Sequence, residues 1–213
     1  MRIEADKVGY AIEGRKIFEG VELECLPGTM TALVGPSGAG KTTLLHVLGL
    51  LLRPTEGRVM IDGRDTTGWG SKRRRLFWKD HAAFILQDYG IIEEESVAFN
   101  VTMTSNIFGT RVVGDHERVK EVLEVTGLSG RERELAARLS GGEKRRLGIA
   151  RALYKDAQVI FADEPTASLD HRNSARVIEL LVSLARQGRT VVVATHDDEV
   201  VRASDYQYSL ARS

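Results

Sequence analysis

Nine consecutive residues of this sequence have the types and spacing needed to bind phosphate groups. They fit the pattern G-x-x-x-x-G-K-[ST] and are Gly35, Pro36, Ser37, Gly38, Ala39, Gly40, Lys41, Thr42 and Thr43. Phosphate oxygens need several backbone N–H donors that converge on one point, and glycines let the backbone wrap that closely. Lys41 can reach the outer phosphates, and the Thr42 hydroxyl can hold Mg²⁺. The pattern therefore predicts a nucleotide phosphate site.

The segments on either side of this loop supply the elements that the pattern requires. Met30–Val34 is a short apolar run typical of a buried strand, and residues 43–52 form an apolar run typical of a helix. A helix that begins at the loop points its positive end at a bound anion. The alternative is an ordinary glycine-rich turn, but the order of strand, loop and helix favours a nucleotide site.

The composition excludes several classes of protein. The chain has 213 residues, a net charge of +0 and one cysteine, Cys25, so we expect no intrachain disulfide and no bulk attraction to nucleic acid or membranes. The N-terminus lacks an apolar signal-peptide core, and the run Leu44–Leu52 is too short to cross a bilayer. We expect a soluble protein of roughly one to two domains, anchored by another chain if it works at a membrane.

Carboxylates and a histidine follow two further apolar runs that are typical of central parallel strands. Asp163 and Glu164 end the run that starts at Val159, and His196 follows the run 190–195. Because ligands bind at the carboxyl ends of parallel strands, we expect these side chains near the phosphate loop. There Asp163 suits Mg²⁺ coordination, Glu164 could polarise an attacking water, and His196 is a candidate sensor of the terminal phosphate. The alternatives are solvated acids and a polar residue that merely ends a strand.

Two other segments have features of their own. Residues 1–30 alternate like a small antiparallel sheet, in which Tyr10 could stack on a nucleotide base or simply pack on the sheet. Residues 88–150 change to the helical spacing of apolar residues, which is typical of a mainly helical insertion. Within this insertion, Ser140 and Glu143 form a capping box that predicts a helix running to about Tyr154.

Taken together, these residues resemble the ATP-binding subunit of an ABC transporter. The resemblance covers essentially the whole chain and rests on motifs in the family order, which are the phosphate loop, Gln87, Leu139–Glu143, Asp163–Glu164, Ala167–Asp170 and His196. It implies an α/β fold with a P-loop NTPase (RecA-like) core, an N-terminal antiparallel β subdomain and an inserted α-helical subdomain. It implies one domain over residues 1–213, in which 1–87 and 151–213 form the β subdomain and core, and 88–150 form the helical subdomain with the signature motif.

The resemblance also implies cofactors and residue roles. Tyr10 would stack on the adenine of ATP, and the loop 35–43 would hold its phosphates. Thr42 and Gln87 would reach Mg²⁺, which Asp163 would hold through water. The catalytic set would comprise the base Glu164, the switch histidine His196 on the γ-phosphate, and Gln87.

The family arrangement implies partners as well. Ser140, Gly141 and Gly142 would contact ATP bound to the opposite subunit, so that two chains sandwich two ATP molecules head to tail. The pair would energise a separate membrane permease from the cytoplasmic face. The segment 162–166 and the arginine-rich run before Gln87 resemble bacterial subunits of the macrolide-export, lipoprotein-release and bacteriocin-export type, although Ala167-Ser168 and Lys144-Arg145 depart from that group's usual Gly-Asn and glutamines.

Other functions find less support in the sequence. A non-transport ABC ATPase that acts on nucleic acid or ribosomes is supported only by the basic run Lys72–Arg75, which also fits a solvated helix face. A GTPase would need an Asn-Lys-x-Asp motif, which the sequence lacks, and a nucleotide kinase would not need Leu139–Glu143. We therefore expect no nucleic-acid partner.

Overall fold

The molecule contains an antiparallel and a parallel β-sheet, as seen in a computed structural model that describes residues 1–86, 90–104 and 114–211. In chain order, the strands are Ile3–Ile12 (β1), Arg15–Cys25 (β2), Met30–Val34 (β3), Glu56–Ile61 (β4), Arg64–Asp65 (β5), Ala82–Ile85 (β6), Val159–Asp163 (β7), Thr190–Ala194 (β8) and Tyr206–Ser209 (β9). An antiparallel sheet has the order β2-β1-β4-β5, and a parallel sheet has the order β6-β7-β8-β3-β9. The predicted antiparallel sheet and central parallel strands are therefore confirmed.

Helices cover both sheets. They are Lys41–Leu48 (α1), Ser71–Asp80 (α2), Val97–Thr102 (α3), His116–Val125 (α4), Gly141–Tyr154 (α5), His171–Arg186 (α6) and Asp198–Ala203 (α7). The predicted end of α5 at Tyr154 is confirmed, whereas the prediction that α1 continues to residue 52 is wrong. Gly49 caps α1, and Leu50 then takes the left-handed conformation with a φ of 59°, which turns the chain away. Within the described ranges, no helix is both long and apolar enough to span a membrane.

The parallel sheet lies between two apolar clusters. Phe161 and Val192 face a cluster that includes α1 and the antiparallel sheet. Ile160 and Val193 face the opposite cluster, which includes residues of α5 and α6. Because these strands are buried on both faces, they appear in the sequence as uninterrupted apolar runs.

A third apolar cluster joins α3, α4 and α5. Val97, Val122 and Leu147 belong to it. Helix α5 also contributes Ile149 to the cluster beneath the parallel sheet, so one helix connects the two regions. The assignment of residues 88–150 to a helical subdomain, and of 1–87 and 151–213 to the β subdomain and core, stays a prediction.

Helix α2 ties down the end of α1. Arg74 donates to the backbone oxygen of Leu50 through Nε at 2.8 Å and to that of Leu51 through Nη2 at 3.0 Å. Trp78 Nε1 donates to the oxygen of Gly49 at 2.9 Å. These three carbonyls belong to the turn that follows α1, and backbone carbonyls removed from water need a hydrogen-bond partner, which the side chains of α2 supply. Arg74, a member of the basic run Lys72–Arg75, therefore stabilises the fold. The interpretation of this run as a solvated helix face did not predict that role.

We predict that Arg74→Met lowers the free energy of unfolding by about 2 kcal/mol, because hydrogen bonds from a charged donor to half-buried carbonyls are lost. The neighbouring Arg75 is exposed, and Arg75→Met should change this free energy by less than about 0.5 kcal/mol. Urea denaturation followed by circular dichroism measures both. Equal losses in the two variants would contradict the proposed role of Arg74.

Candidate active site

Parallel strand pairing brings the candidate residues to one edge of the sheet. In the register of the sheet, Ala194 is the partner of Leu33 on one side and of Asp163 on the other. The backbone N–H of Glu164 donates to the oxygen of Ala194 at 2.8 Å, and that of Thr195 donates to Leu33 at 3.1 Å. The phosphate loop, the two carboxylates and His196 therefore leave the sheet at the same level, as the sequence predicted.

Two glycines of the loop have conformations and neighbours that a side chain would disturb. Gly35 has a φ of 149°, and a Cβ there would lie 2.5 Å from the backbone oxygen of Leu210. Gly40 precedes α1 with a φ of 93°, and a Cβ there would lie 2.7 Å from Cγ2 of Ile17. The loop is thus confined between β2 and the chain after β9, in a shape that leaves its backbone open to a ligand.

A cleft of about 690 Å³ opens over this loop. Its volume is within the range of small-molecule sites, roughly 300 to 1,000 Å³. The lining residues are Ile17, Gly35, Pro36, Ser37, Gly38, Gly40, Lys41, Thr42, Thr43, Glu164, Ala167 and His196. The positive end of α1 and the buried Lys41 give the floor of this cleft a preference for anions.

Lys41 folds back across the loop. Its Nζ donates to the backbone oxygen of Gly35 at 2.9 Å and to that of Pro36 at 3.3 Å, and only 9% of the residue is exposed. An ammonium group has no acceptor capacity, so carbonyl oxygens are suitable partners in the absence of phosphate. Phosphate oxygens would be stronger acceptors because they carry negative charge.

The donor set beside Lys41 fits a magnesium ion that is shared with phosphates. The Thr42 hydroxyl donates to Oδ1 of Asp163 at 2.9 Å, so two oxygen ligands of the type that Mg²⁺ prefers lie together. In the described part of the chain, no three His, Cys, Asp or Glu side chains group as a metal site. Mg²⁺ usually binds through one or two carboxylates plus substrate phosphates, and this pair suits that mode better than a cage made of protein alone.

Burial raises the pKa of Asp163 above its usual value, while the hydrogen bond from Thr42 acts in the opposite direction. The negative charge of Glu164 adds to the rise. A cation beside Asp163 would favour the charged carboxylate and offset these effects. A cation at this position would therefore complement the charge of the two carboxylates.

Glu164 and His196 are in direct contact. Oε1 of Glu164 lies 2.9 Å from Nδ1 of His196, and Oε2 lies 3.4 Å from the Thr195 hydroxyl. Glu164 has a φ of 46°, which is unusual for a residue with a side chain. Its side chain is 14% exposed whereas that of His196 is 73% exposed, so the carboxylate lies deeper in the cleft and the imidazole lies at its mouth.

Ser140, Gly141 and Gly142 lie at the start of α5 and are absent from the lining of the described cleft. The predicted capping box is confirmed, because Glu143 N–H donates to the Ser140 hydroxyl at 3.4 Å and Ser140 N–H donates to Glu143 Oε2 at 2.8 Å. A Cβ on the buried Gly142 would lie 2.6 Å from Oδ1 of Asn173. Ser140 itself is exposed. Within a single chain, this helix start and the phosphate loop are not brought together.

Two predicted site residues remain, Tyr10 and Gln87. Tyr10 is half-buried and stacks on Phe18, with the ring centroids 6.3 Å apart, and it is not among the residues that line the cleft. Gln87 lies outside the described residues. The sequence reasoning missed Ile17 and Ala167, which do line the cleft. Ile17 precedes Phe18 on β2, and both side chains lie against the loop, since a Cβ at Gly40 would lie 2.7 Å from Cγ2 of Ile17 and 3.1 Å from Cδ1 of Phe18. This contact depends on the fold and has no local signal in the sequence.

The fold and this cleft define a class of protein, the P-loop nucleotide-binding domains. A family profile described as ABC transporter matches residues 18–167. The lipoprotein-releasing system ATP-binding protein LolD 1 of Rhodopirellula baltica is 40% identical over 185 residues, which cover 86% of this chain and 81% of that protein. The chain belongs to the ABC transporter family, and the resemblance drawn from its motifs is confirmed.

Longer relatives and solved structures agree with this assignment. The macrolide export ATP-binding/permease protein MacB of Marinobacter nauticus is 36% identical over 195 residues, so 92% of this chain spans only 30% of that protein. A dimeric structure of the ATP-binding cassette MJ0796, in a post-hydrolysis state bound to ADP and Pi, superimposes with a TM-score of 0.84. It is 31% identical and covers 98% of this chain and 94% of its own. The predicted P-loop NTPase fold is confirmed.

We predict that Gly40→Ala weakens binding of a fluorescent ATP analogue by about tenfold or more, equivalent to about 1.4 kcal/mol, because the new methyl group displaces the loop from Ile17. Gly63→Ala is the matched control. Gly63 also has a positive φ, 72°, but a Cβ there meets no atom within 4 Å. Equal affinities in the two variants would contradict the prediction that the fit of Gly40 against Ile17 shapes the phosphate site.

Proposed function

We propose that this chain is the ATP-binding and ATP-hydrolysing subunit of an ABC transporter, and that it energises a separate membrane permease. The observation that carries the proposal is the cleft itself, in which the phosphate loop meets the Glu164–His196 pair, with the buried Asp163 bonded to Thr42 of the loop. Membership of the ABC transporter family supports ATP hydrolysis as the reaction. The proposal further states that ATP hydrolysis is coupled to transport.

The residues divide the chemistry among them. Lys41 and the backbone N–H groups of the loop, of which Pro36 has none, hold the phosphates, and Thr42 with Asp163 would hold Mg²⁺. When bound, Mg²⁺ neutralises charge on the phosphate oxygens. Glu164 orients the attacking water and accepts its proton. His196 adds a ring N–H toward the terminal phosphate at the mouth of the cleft. Base stacking by Tyr10 and a metal contact from Gln87 complete the proposed set.

A second copy of the chain completes the site. The exposed start of α5 offers backbone N–H groups and the positive end of a helix, and neither reaches the cleft of its own chain. Dimeric structures of the similar cassette MJ0796 support a head-to-tail pair. In this pair, Ser140, Gly141 and Gly142 of one subunit face the ATP of the other. Closure then depends on ATP, because the γ-phosphate is the group that both subunits bind.

The permease is a separate chain in this proposal. Relatives of similar length are named as ATP-binding proteins of a lipoprotein-releasing system, and a longer relative combines ATP-binding and permease functions in macrolide export. We propose that this chain lies on the cytoplasmic face of the membrane through such a permease. We propose outward movement of a lipoprotein, peptide or drug, and the names of these relatives support release of a lipoprotein and export of a macrolide.

We predict that Glu164→Gln lowers kcat for Mg-ATP hydrolysis by about a hundredfold or more, because loss of a general base typically costs that much. The amide keeps the size of the side chain, so ATP binding persists and a dimer accumulates. Gel filtration with and without Mg-ATP measures this change, with Glu94→Gln as a control on an exposed glutamate. A Glu164→Gln variant that stays monomeric with Mg-ATP would contradict the closure model.

Transport coupling is tested by tagged purification from detergent-solubilised native membranes. We expect a polytopic membrane protein in stoichiometric amounts, identified by mass spectrometry. A variant with Lys41→Ala should retain this partner, since docking and nucleotide binding use different surfaces in the proposal. Recovery of ribosomal or nucleic-acid-bound proteins in place of a membrane protein would leave the ATPase assignment intact and contradict the transport function.

A further inference from the structure

A partly buried hydrogen bond joins the two loops that carry Glu164 and His196. The hydroxyl of Thr166 donates to Oδ2 of Asp197 at 2.7 Å, and Thr166 is only 5% exposed. Thr166 lies two residues after Glu164, and Asp197 directly follows His196. Neither residue lines the cleft. This contact therefore links the chain after β7 to the chain after β8 from behind the reacting side chains.

Each oxygen of the Asp197 carboxylate has a separate partner. Oδ1 accepts from the backbone N–H of Glu199 at 2.8 Å and so caps α7. Oδ2 accepts from Thr166, and the backbone N–H of Asp197 donates to the Thr195 hydroxyl at 3.0 Å. A helix cap needs only one of these oxygens. The bond to Thr166 is thus additional to the cap.

The chain after β7 has an unusual conformation that requires support. Glu164 has a φ of 46° and Ser168 a φ of 63°, both in the left-handed region. Residues held in such conformations persist when their surroundings fix them. Thr166 lies between them, and its backbone oxygen accepts from the N–H of Leu169 at 3.1 Å. Its side chain provides a tie to the loop that follows β8.

We infer that Thr166 and Asp197 form a positioning pair, which fixes the distance and orientation between Glu164 and His196. The inference rests on the proposed ATPase function. The pair acts through the backbone, because Thr166 holds the turn of Glu164 and Asp197 holds the loop of His196. It also fixes the start of the segment 167–170, where Ala167 lines the cleft.

The kinetic test uses Thr166→Val, Thr166→Ser and Asp197→Ser. Valine has the shape of threonine without the hydroxyl, and serine at residue 197 can still cap α7 but is too short to reach Thr166. We expect Thr166→Val to lower kcat by about tenfold with KM for Mg-ATP nearly unchanged, since geometry after binding is what changes. Thr166→Ser should restore kcat, and the double variant Thr166→Val/Asp197→Ser should be no slower than the slower single variant.

Two matched controls separate positioning from general destabilisation. Thr66 is a buried threonine whose hydroxyl donates to the backbone oxygen of Val59 at 2.8 Å, away from the cleft, and Thr66→Val controls for loss of a buried hydroxyl. Asp115 caps α4 through Oδ1, and Asp115→Ser controls for the change of cap. Both controls should keep kcat within about twofold, whatever their melting temperatures.

A second readout requires no hydrolysis. In the nucleotide-free protein, NMR resonances of the His196 imidazole report its contact with Glu164, and we expect Thr166→Val to shift them while Thr66→Val leaves them in place. An unchanged His196 spectrum and an unchanged kcat in Thr166→Val would overturn the inference. If the unmodified chain hydrolysed no ATP, the proposed function would fail, and the NMR comparison would still decide whether the pair positions His196.

Discussion

The candidate site depends on the parallel pairing of β3, β8 and β7. This pairing sets Leu33, Ala194 and Asp163 side by side, so that the three following loops leave the sheet at one level. Apart from Tyr10 on β1 and Gln87, which lies outside the described residues, the groups that the proposed chemistry uses within one chain lie at the end of β7, on these loops or on the first turn of α1. Since a shift of one strand would move an entire loop, the burial of the apolar strands on both faces also secures the geometry of the site.

Features that depend on neighbouring residues were predictable from the sequence. The phosphate loop, the capping box at Ser140 and the polar residues that follow β7 and β8 were found because their signals are local. Features that depend on contacts between distant parts of the chain were not predictable from the sequence. The tie between Thr166 and Asp197 spans 31 residues of sequence, and the packing of Tyr10 on Phe18 follows from the register of β1 and β2. The end of α1 was missed because apolar residues continue beyond Gly49, although the backbone of Leu50 reverses there.

The separation of the α5 start from the cleft is the reason for proposing that a second copy completes the site. The Ser140 hydroxyl donates to Glu143 Oε2 at 2.9 Å, and Ser140 is exposed to solvent. In the proposed pair, ATP bound to one copy offers negative charge to the backbone N–H groups at the α5 start of the other. This interaction requires the terminal phosphate, so the proposal makes association a consequence of nucleotide state rather than a fixed property of the surface.

The dependence of specific ATPase activity on protein concentration shows whether a second copy completes the cleft. With Mg-ATP in excess, we expect activity per chain to be low in dilute solution and to rise to a plateau as the protein concentration increases, because each active cleft needs a helix start from a second copy. The plateau should disappear when Ser140→Arg blocks that helix start. Activity per chain that stays constant from dilute to concentrated solution would show that one chain holds a complete site, and the proposed dimer would then not be needed for hydrolysis.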